Sequence, residues 1–257
     1  MRLKVATFNV NSIRQRLHIV IPWLSRNKPD IFCMQETKVS DEMFPEEPFR
    51  EIGYNVVYRG SGGYNGVAIA SLKKLKNVSY GLYGSDEDRL VRGEYGEVKI
   101  VNTYVPQGYK ITSEKYRYKI EWLRKLRRFF EEHYSPEDLL LWCGDMNVAP
   151  EEIDVHDPKG LRNHVDFHIA ARHAYKKVLE WGFIDVFRKH HPGEPGQYTF
   201  YDYRGKDNVA KGKGWRVDHI LATKPLADKS LDSYIDLKPR LMEKPSDHTI
   251  LVAEFEL

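Results

Sequence analysis

Strand-length apolar runs alternate with segments of helical spacing along this 257-residue sequence. The apolar runs cover residues 2–8, 30–34, 67–70, 97–105, 139–143 and 249–257. Between them, apolar residues recur at helical spacing from 13 to 24, from 116 to 130 and from 166 to 181. No Pro/Gly/Ser-rich linker, low-complexity segment or repeat divides the sequence. The alternation therefore predicts one α/β domain that spans residues 1–257.

The composition supports a folded chain with a sizeable core, since 41% of the residues are hydrophobic and 12% are aromatic. A disordered or fibrous chain is excluded on that ground. The net charge of +3 is too small to identify a polyanionic partner. Cys33 and Cys143 lie in apolar runs, which is typical of buried free thiols in a reducing compartment. No apolar run approaches the roughly 20 residues of a membrane span, so we expect a cytoplasmic protein without a membrane partner.

Polar residues stand where apolar runs stop, at four places in the chain. These clusters are Asn9 with Asn11, Glu36, Asp145 with Asn147, and Asp247 with His248. At a single place, helix capping or turn formation explains an Asp or Asn. Together, such oxygen ligands favour a hard cation such as Mg²⁺, which leaves its remaining positions to water and phosphate oxygens. The pattern predicts that the four clusters converge on one site.

The spacing of Asp145 and Asn147 favours phosphoryl transfer. Residues two apart in an extended segment point to the same side, so both side chains are expected in one pocket, with Met146 in the core. A carboxylate can accept a proton or orient a water, and a neutral amide can donate a hydrogen bond to a phosphoryl oxygen.

His248 needs an acidic partner, and the sequence points to Asp218. Adjacent side chains in an extended segment face opposite ways, which argues against Asp247 as that partner. Asp218 opens a further apolar run. An Asp–His pair can stabilise an imidazolium that contacts a phosphate oxygen, or it can act in acid/base chemistry.

Six ordered motifs resemble those of the exonuclease III type of apurinic/apyrimidinic (AP) endonuclease. They are TFNVNSIR at 7–14, MQETK at 34–38, TYVP at 103–106, GDMNV at 144–148, GWRVD at 214–218 and SDH at 246–248. The resemblance implies a DNase I-like fold, which is a four-layer α/β sandwich of two packed mixed β-sheets flanked by helices. It also implies cleavage of double-stranded DNA on the 5′ side of abasic sites, which leaves a 3′-hydroxyl. This cleavage would depend on Mg²⁺, with Mn²⁺ as a substitute. A 3′-to-5′ exonuclease activity is compatible with the same site. From the same resemblance we expect a monomer that acts at the nucleoid, or in the nucleus if the protein is eukaryotic.

The resemblance also assigns roles to individual positions. The metal-binding candidates are Asn9, Asn11, Glu36, Asp145, Asn147 and Asp247. The catalytic candidates are Glu36, Tyr104, Asp145, Asn147, Asp218 and His248. Asn11 departs from the pattern, because some relatives carry Asp there.

The DNA-binding candidates fall into three groups. Arg14 and Lys38 lie near presumed catalytic groups and are expected to contact phosphates, while Gln107, Tyr109 and Asn163 are candidates in loops. The resemblance further implies that Phe200, Trp215 and Val217 line an apolar pocket that accepts an abasic sugar and excludes a nucleotide with its base. Residues 109–128 add eight basic side chains against two acidic ones, which is compatible with DNA binding or with a solvated helix face.

Two other functions remain open from the sequence. A phosphatase or lipid phosphodiesterase of the same fold uses similar Asn, Glu, Asp and His residues, although GWRVD and the basic segment favour DNA. A catalytically silent nucleic-acid-binding module would lack at least one metal-binding or His position, and all of these positions are present. The balance between endonuclease and exonuclease activity is not set by these motifs.

Overall fold

A computed structural model describes residues 1–205 and 207–257. In this part of the chain, the strands are β1 (Arg2–Asn9), β2 (Ile31–Gln35), β3 (Asn55–Arg59), β4 (Val67–Ser71), β5 (Lys76–Tyr80), β6 (Leu90–Tyr95), β7 (Val98–Tyr104), β8 (Leu140–Asp145), β9 (Phe183–Asp185), β10 (Asp218–Thr223), β11 (Ser230–Asp236) and β12 (Ile250–Glu256). The α-helices are α1 (Ile13–Asn27), α2 (Glu47–Glu51), α3 (Glu114–His133), α4 (Ile169–Leu179), α5 (Val186–His190) and α6 (Lys224–Ala227).

The strands form two mixed six-stranded sheets. The first has the order β11-β12-β1-β2-β4-β3, and the second has the order β5-β6-β7-β8-β10-β9. One apolar core, which includes Val5 and Ile100, fills the space between the sheets. A second core joins α1 to the outer face of the first sheet, and a third joins α3 and α4 to the outer face of the second. The predicted four-layer sandwich of two sheets and flanking helices is confirmed.

Each sheet contains one parallel pair of strands, and this determines where side chains can meet. β1 and β2 are parallel and are connected by α1, whereas β7 and β8 are parallel and are connected by α3. Two parallel strands joined by such a crossover have their carboxyl ends on the same side of the sheet. The remaining neighbours in both sheets are antiparallel. The carboxyl ends of four strands are therefore available to build one site.

Differences from the predicted elements arise where local packing is unusual. The helix predicted from 166 to 181 begins at Ile169, because the chain from His164 to His168 forms turns and the His168 ring accepts a hydrogen bond from the Ala170 amide as an N-cap. The sequence pattern does not predict the four edge strands (β3, β5, β9 and β11), which are only partly buried and lack a continuous apolar run. Pro22 is accommodated inside α1.

The two cysteines are buried free thiols, as predicted. Cys33 from the first sheet and Cys143 from the second both belong to the core between the sheets. No helix in the described ranges combines the length and the hydropathy that crossing a membrane requires.

Candidate active site

The candidate site lies where strand ends of the two sheets meet. β1 ends at Asn9, β2 ends one residue before Glu36, β7 ends at Tyr104, and β8 ends at Asp145. Asp218 begins β10, which runs antiparallel to β8, so Asp218 and Asp145 are direct partners in the strand register. Tyr104 is the partner of Asp145 on its other side. The register alone thus places three predicted catalytic residues side by side.

Asn9 joins the two sheets at this edge. Its fully buried amide nitrogen donates to Glu36 Oε1 and to Asp145 Oδ2, each over 2.8 Å. Its Oδ1 accepts the Asn11 amide hydrogen over 3.0 Å. The opposite orientation of the amide would turn its oxygen toward two carboxylates, so the hydrogen-bond network determines the assignment. In this arrangement Asn9 contributes a donor that aligns the carboxylates, and its oxygen faces the backbone.

Lys38 occupies the space between Glu36 and Asn11. Its Nζ lies 2.7 Å from Glu36 Oε2 and donates to Asn11 Oδ1 over 2.6 Å. The Asn11 amide nitrogen donates in turn to Asp247 Oδ1 over 2.9 Å. Burial alone would raise the pKa of Glu36, but the Lys38 ammonium and the Asn9 amide outweigh it and hold that pKa below its usual value. Glu36 is therefore an ionised carboxylate at neutral pH.

Asp145 and Asn147 do approach each other, but not through extended alternation as predicted from their spacing. Asn147 has a φ of 47°, in the left-handed region that Asn tolerates, and its backbone N–H donates to Asp145 Oδ1 over 2.9 Å. Its side-chain amide donates to the Val105 carbonyl oxygen over 2.9 Å. A turn closed by the Asp145 carboxylate thus brings the two side chains together. Met146 is buried in the core, as predicted.

His248 is paired with Asp218, as its position predicted. Its Nδ1 lies 2.7 Å from Asp218 Oδ2, and its Nε2 lies 3.8 Å from Asp145 Oδ2. Burial lowers the pKa of His248, but the Asp218 and Asp145 carboxylates outweigh it and raise that pKa to about 10. The ring is therefore an imidazolium that can donate from both nitrogens. Ligand atoms of Asp145, Asp218 and His248 lie within 4.8 Å of one another, but a protonated His cannot ligate a metal. The group is an ion-paired set in which His248 is hydrogen-bonded to Asp218 and lies near Asp145.

Tyr104 keeps its phenolic proton. Burial and the nearby Glu36 and Asp145 carboxylates raise its pKa well above the usual value. The Arg89 guanidinium lies 4.9 Å from the centre of its ring and donates to its carbonyl oxygen. Tyr104 is accordingly a fixed hydrogen-bond donor.

A cavity of about 400 Å³ opens directly over these groups. It is lined by Glu36, Tyr104, Gln107, Asn147, Asp166, Phe200, Asp202, Tyr203, Arg204, Val217, Asp247 and His248. Sequence reasoning missed Asp166, Asp202, Tyr203 and Arg204, which lie in segments without a recognisable motif. The cavity is large enough for a phosphate and a sugar and combines charged groups with an apolar wall.

The apolar wall is built around Phe200. The Phe200 and Trp215 backbones are hydrogen-bonded to each other, and the Phe200 ring centre lies 4.9 Å from that of His248. Trp215 packs with Val217 in a small separate core and lines an adjoining cavity of about 520 Å³, which shares Phe200 and Gln107 with the first. The structure thus brings Phe200, Val217 and Gln107 to the site directly and Trp215 to its neighbour.

Four predicted DNA contacts line neither cavity, and one of them, Lys38, is held between Glu36 and Asn11. Arg14 is exposed in the first turn of α1, and Asn163 is exposed in the loop before α4. Tyr109 is 64% exposed, with a φ of 63° and with Lys110 and Lys115 near its ring. Within the basic segment 109–128, Lys119 is fully buried and cannot contact DNA.

The side chains around Glu36 fit a divalent cation. Asn11, Glu36, Asp145 and Asp247 supply oxygen atoms, which are the ligands that hard cations prefer. Burial raises the pKa of Asp145 to about 8, so in the absence of a metal this carboxyl is mostly protonated at neutral pH. An added positive charge here would lower that pKa and favour the carboxylate. The donor set and the charge therefore agree with a metal of the Mg²⁺ class.

Comparisons with known proteins agree with this geometry. Residues 6–248 match the endonuclease/exonuclease/phosphatase family. The chain belongs to this family. Exodeoxyribonuclease III of Haemophilus influenzae is 32% identical over 99% of the chain and 100% of the relative. The structure of an AP endonuclease from Archaeoglobus fulgidus is 60% identical with a TM-score of 0.98, over 99% of this chain and 100% of that one.

A third relative extends the comparison to a complex with DNA. The structure of a 3′ phosphatase from Neisseria bound to product DNA hairpin is 32% identical with a TM-score of 0.94, over 99% of this chain and 100% of that one. The chain is therefore a hydrolytic DNA-repair nuclease of the exonuclease III type, in a family of divalent-metal-dependent enzymes.

Proposed function

We propose that this protein hydrolyses the phosphodiester bond 5′ to an abasic site in double-stranded DNA and leaves a 3′-hydroxyl. The observation that carries the proposal is a cavity lined by Glu36, His248 and Phe200. Asn9 joins Glu36 to Asp145 by hydrogen bonds, and His248 lies 3.8 Å from Asp145. The same floor with a wholly polar cavity would suit any phosphate ester. The apolar wall favours a sugar without a base.

Asp145 is the group that would orient the attacking water and accept its proton. His248 is already protonated at neutral pH, so it cannot serve as the base. As water adds to phosphorus, the bond between phosphorus and the 3′ oxygen breaks, and that oxygen takes up a proton from solvent and leaves as the 3′-hydroxyl. Asn9 and the Asn147 backbone N–H hold the Asp145 carboxylate in position for this step.

Charge that develops on the phosphoryl oxygens would be stabilised by donors fixed before the substrate arrives. His248 supplies an imidazolium N–H, and Tyr104 supplies a phenolic O–H. The Asn147 amide would add a neutral donor. Glu36, Asp247, Asn11 and Asp145 would hold Mg²⁺, with Mn²⁺ as a substitute, and the bound ion would supply Lewis-acid charge to the phosphate. All of these side chains come from one chain, which supports action as a monomer.

An abasic-duplex assay tests the proposal. A duplex with a single abasic-site analogue should be nicked once, 5′ to the analogue, with Mg²⁺ present, and it should stay intact with EDTA. The same duplex without the lesion and the lesion strand alone serve as comparison substrates. Equal cutting of lesion-free duplex would contradict abasic specificity, and cutting that survives EDTA would contradict the metal requirement.

Removal of a 3′-terminal phosphate is a second candidate activity of the same site. The Neisseria relative is described as a 3′ phosphatase bound to product DNA hairpin. The reaction requires the same attack of water on phosphorus and the same departure of a 3′ oxygen, at a strand end instead of within a strand. A 3′-phosphorylated duplex should release inorganic phosphate with Mg²⁺, and no release would limit the protein to internal cleavage.

Trp215→Ala should lower the preference for abasic over intact duplex by roughly 10-fold or more, the scale of losing one apolar contact in a specificity pocket. Trp215 supports the wall that Phe200 and Val217 present. The measurement is the ratio of kcat/KM values on the two duplexes. Tyr83→Ala, at an exposed aromatic that packs against His133 at the end of α3, is the matched control. If the folded Trp215→Ala protein shows an unchanged ratio of kcat/KM values, Trp215 contributes to packing and not to specificity.

A further inference from the structure

Lys119 of α3 is a fully buried ammonium next to the site. Its Nζ donates to three backbone carbonyl oxygens, of Gln107 (3.1 Å), Asn147 (2.5 Å) and Val165 (3.0 Å). It also forms an ion pair with Asp166 Oδ1 at 2.9 Å. Four acceptors from three separate loops thus surround one ammonium that offers three hydrogens.

Filling this space in the core does not require a charged side chain with four hydrogen-bond acceptors around it. Burial lowers the pKa of Lys119 despite the opposing Asp166 carboxylate, which shows that the desolvated charge is costly. An apolar side chain of similar length would fill the same space without that cost. The backbone packs closely against the Lys119 stem: a Cβ added at Gly108, whose φ is 103°, would lie 3.3 Å from Lys119 Cδ. The loops thus place their carbonyl groups around the Lys119 ammonium.

The three loops that Lys119 joins also form walls of the 400 Å³ cavity. Gln107, Asn147 and Asp166 all line it. The Asn147 carbonyl is tied to Lys119 on one side, while its N–H is tied to Asp145 Oδ1 on the other. With φ at 47°, this peptide is held in a conformation that few residues adopt. The direction of the Asn147 side chain therefore depends on both contacts.

We propose that Lys119 is a positioning residue that sets the Asn147 amide, and with it the Asp145 carboxylate, for attack on the phosphate. The inference rests on the proposed function, because it assumes that Asn147 and Asp145 act on a phosphodiester. Lys119 touches neither phosphate nor metal. It acts through the Asn147 carbonyl, so its removal changes the rate of the chemical step and leaves substrate binding largely intact.

A double-mutant cycle tests this role. Lys119→Met, Asn147→Ala and the double variant are compared with the unaltered protein for kcat and KM on the abasic duplex. Lys119→Met should lower kcat by about 10-fold or more with little change in KM, whereas in the Asn147→Ala background the same change should lower kcat by less than about threefold. Equal losses in both backgrounds would overturn the proposal, as would an unchanged kcat. A purely structural role predicts additive losses.

A second variant covers the case in which Lys119→Met does not fold. Lys119→Arg keeps the charge opposite Asp166, but a planar guanidinium cannot place its donors on the same three carbonyls. It should fold and show the same non-additive loss of kcat, and full activity of this variant would overturn the proposal. Lys176→Met, at an exposed lysine of α4, is the control.

The experiments separate the two proposals. If the unaltered protein does not nick abasic duplex, the proposed function fails. If the unaltered protein nicks the duplex and the losses in the double-mutant cycle are additive, only the role of Lys119 fails.

Discussion

Asp145→Asn should lower the single-turnover rate on an abasic duplex by roughly 10²- to 10⁴-fold, the range for losing a positioned acid–base group. The Asn side chain has nearly the same size and still offers an oxygen to the Asn147 N–H. It cannot take a proton from water, and its amide nitrogen cannot accept the hydrogen bond that Asn9 donates. The affinity for the duplex, measured in EDTA, should change little.

The control for this variant is Asp30→Asn at the opposite edge of the first sheet. Asp30 accepts hydrogen bonds from the Lys4 N–H and the Tyr95 hydroxyl, so it tests the cost of replacing a hydrogen-bonded carboxylate away from the site. Asp30→Asn should keep its rate. A near-normal rate for Asp145→Asn would remove Asp145 from the chemistry.

Glu36→Gln should weaken binding of a divalent cation by at least about 10-fold. Glu36 is held ionised between Lys38 and Asn9, and its neutral amide replacement loses both the charge and one hard oxygen. Titration with Mn²⁺, followed by electron paramagnetic resonance without DNA, measures this affinity directly. The Mg²⁺ concentration that gives half-maximal nicking should rise in parallel.

Glu97→Gln, at an exposed carboxylate in the turn between β6 and β7, provides the comparison for Mn²⁺ binding. It should bind Mn²⁺ as the unaltered protein does. If Glu36→Gln also retains full Mn²⁺ affinity, the cation is held elsewhere and the oxygen cluster around Glu36 has another role.

The positions of the catalytic candidates could be predicted because buried strands leave a strong periodic signal and their polar ends stand out against it. Asn9, Glu36 and Asp145 all follow apolar runs, and the structure places them within one hydrogen-bond network. Side-chain alternation argued against Asp247 as the partner of His248, and the position of Asp218 at the start of an apolar run pointed to the pair that the structure contains. These inferences need only local geometry.

Features that depend on turns or on contacts between distant parts of the chain were harder to predict from the sequence. Asn147 meets Asp145 through a left-handed turn that alternation does not foresee. Lys119 resembles any basic residue of an exposed helix, although it lies on the apolar stripe of α3, three residues after Tyr116 and four before Leu123. A lysine at such a position is a usable signal, but its partners in three loops depend on tertiary structure.

In the proposed reaction, a water attacks the phosphorus 5′ to the abasic site. Cleavage of an abasic duplex in ¹⁸O-labelled water, followed by mass spectrometry of both new ends, tests this step. We expect ¹⁸O in the 5′-phosphate attached to the abasic sugar and an unlabelled 3′-hydroxyl on the other fragment. An unlabelled phosphate together with an unsaturated aldehyde at the 3′ end would show cleavage by elimination and would contradict it.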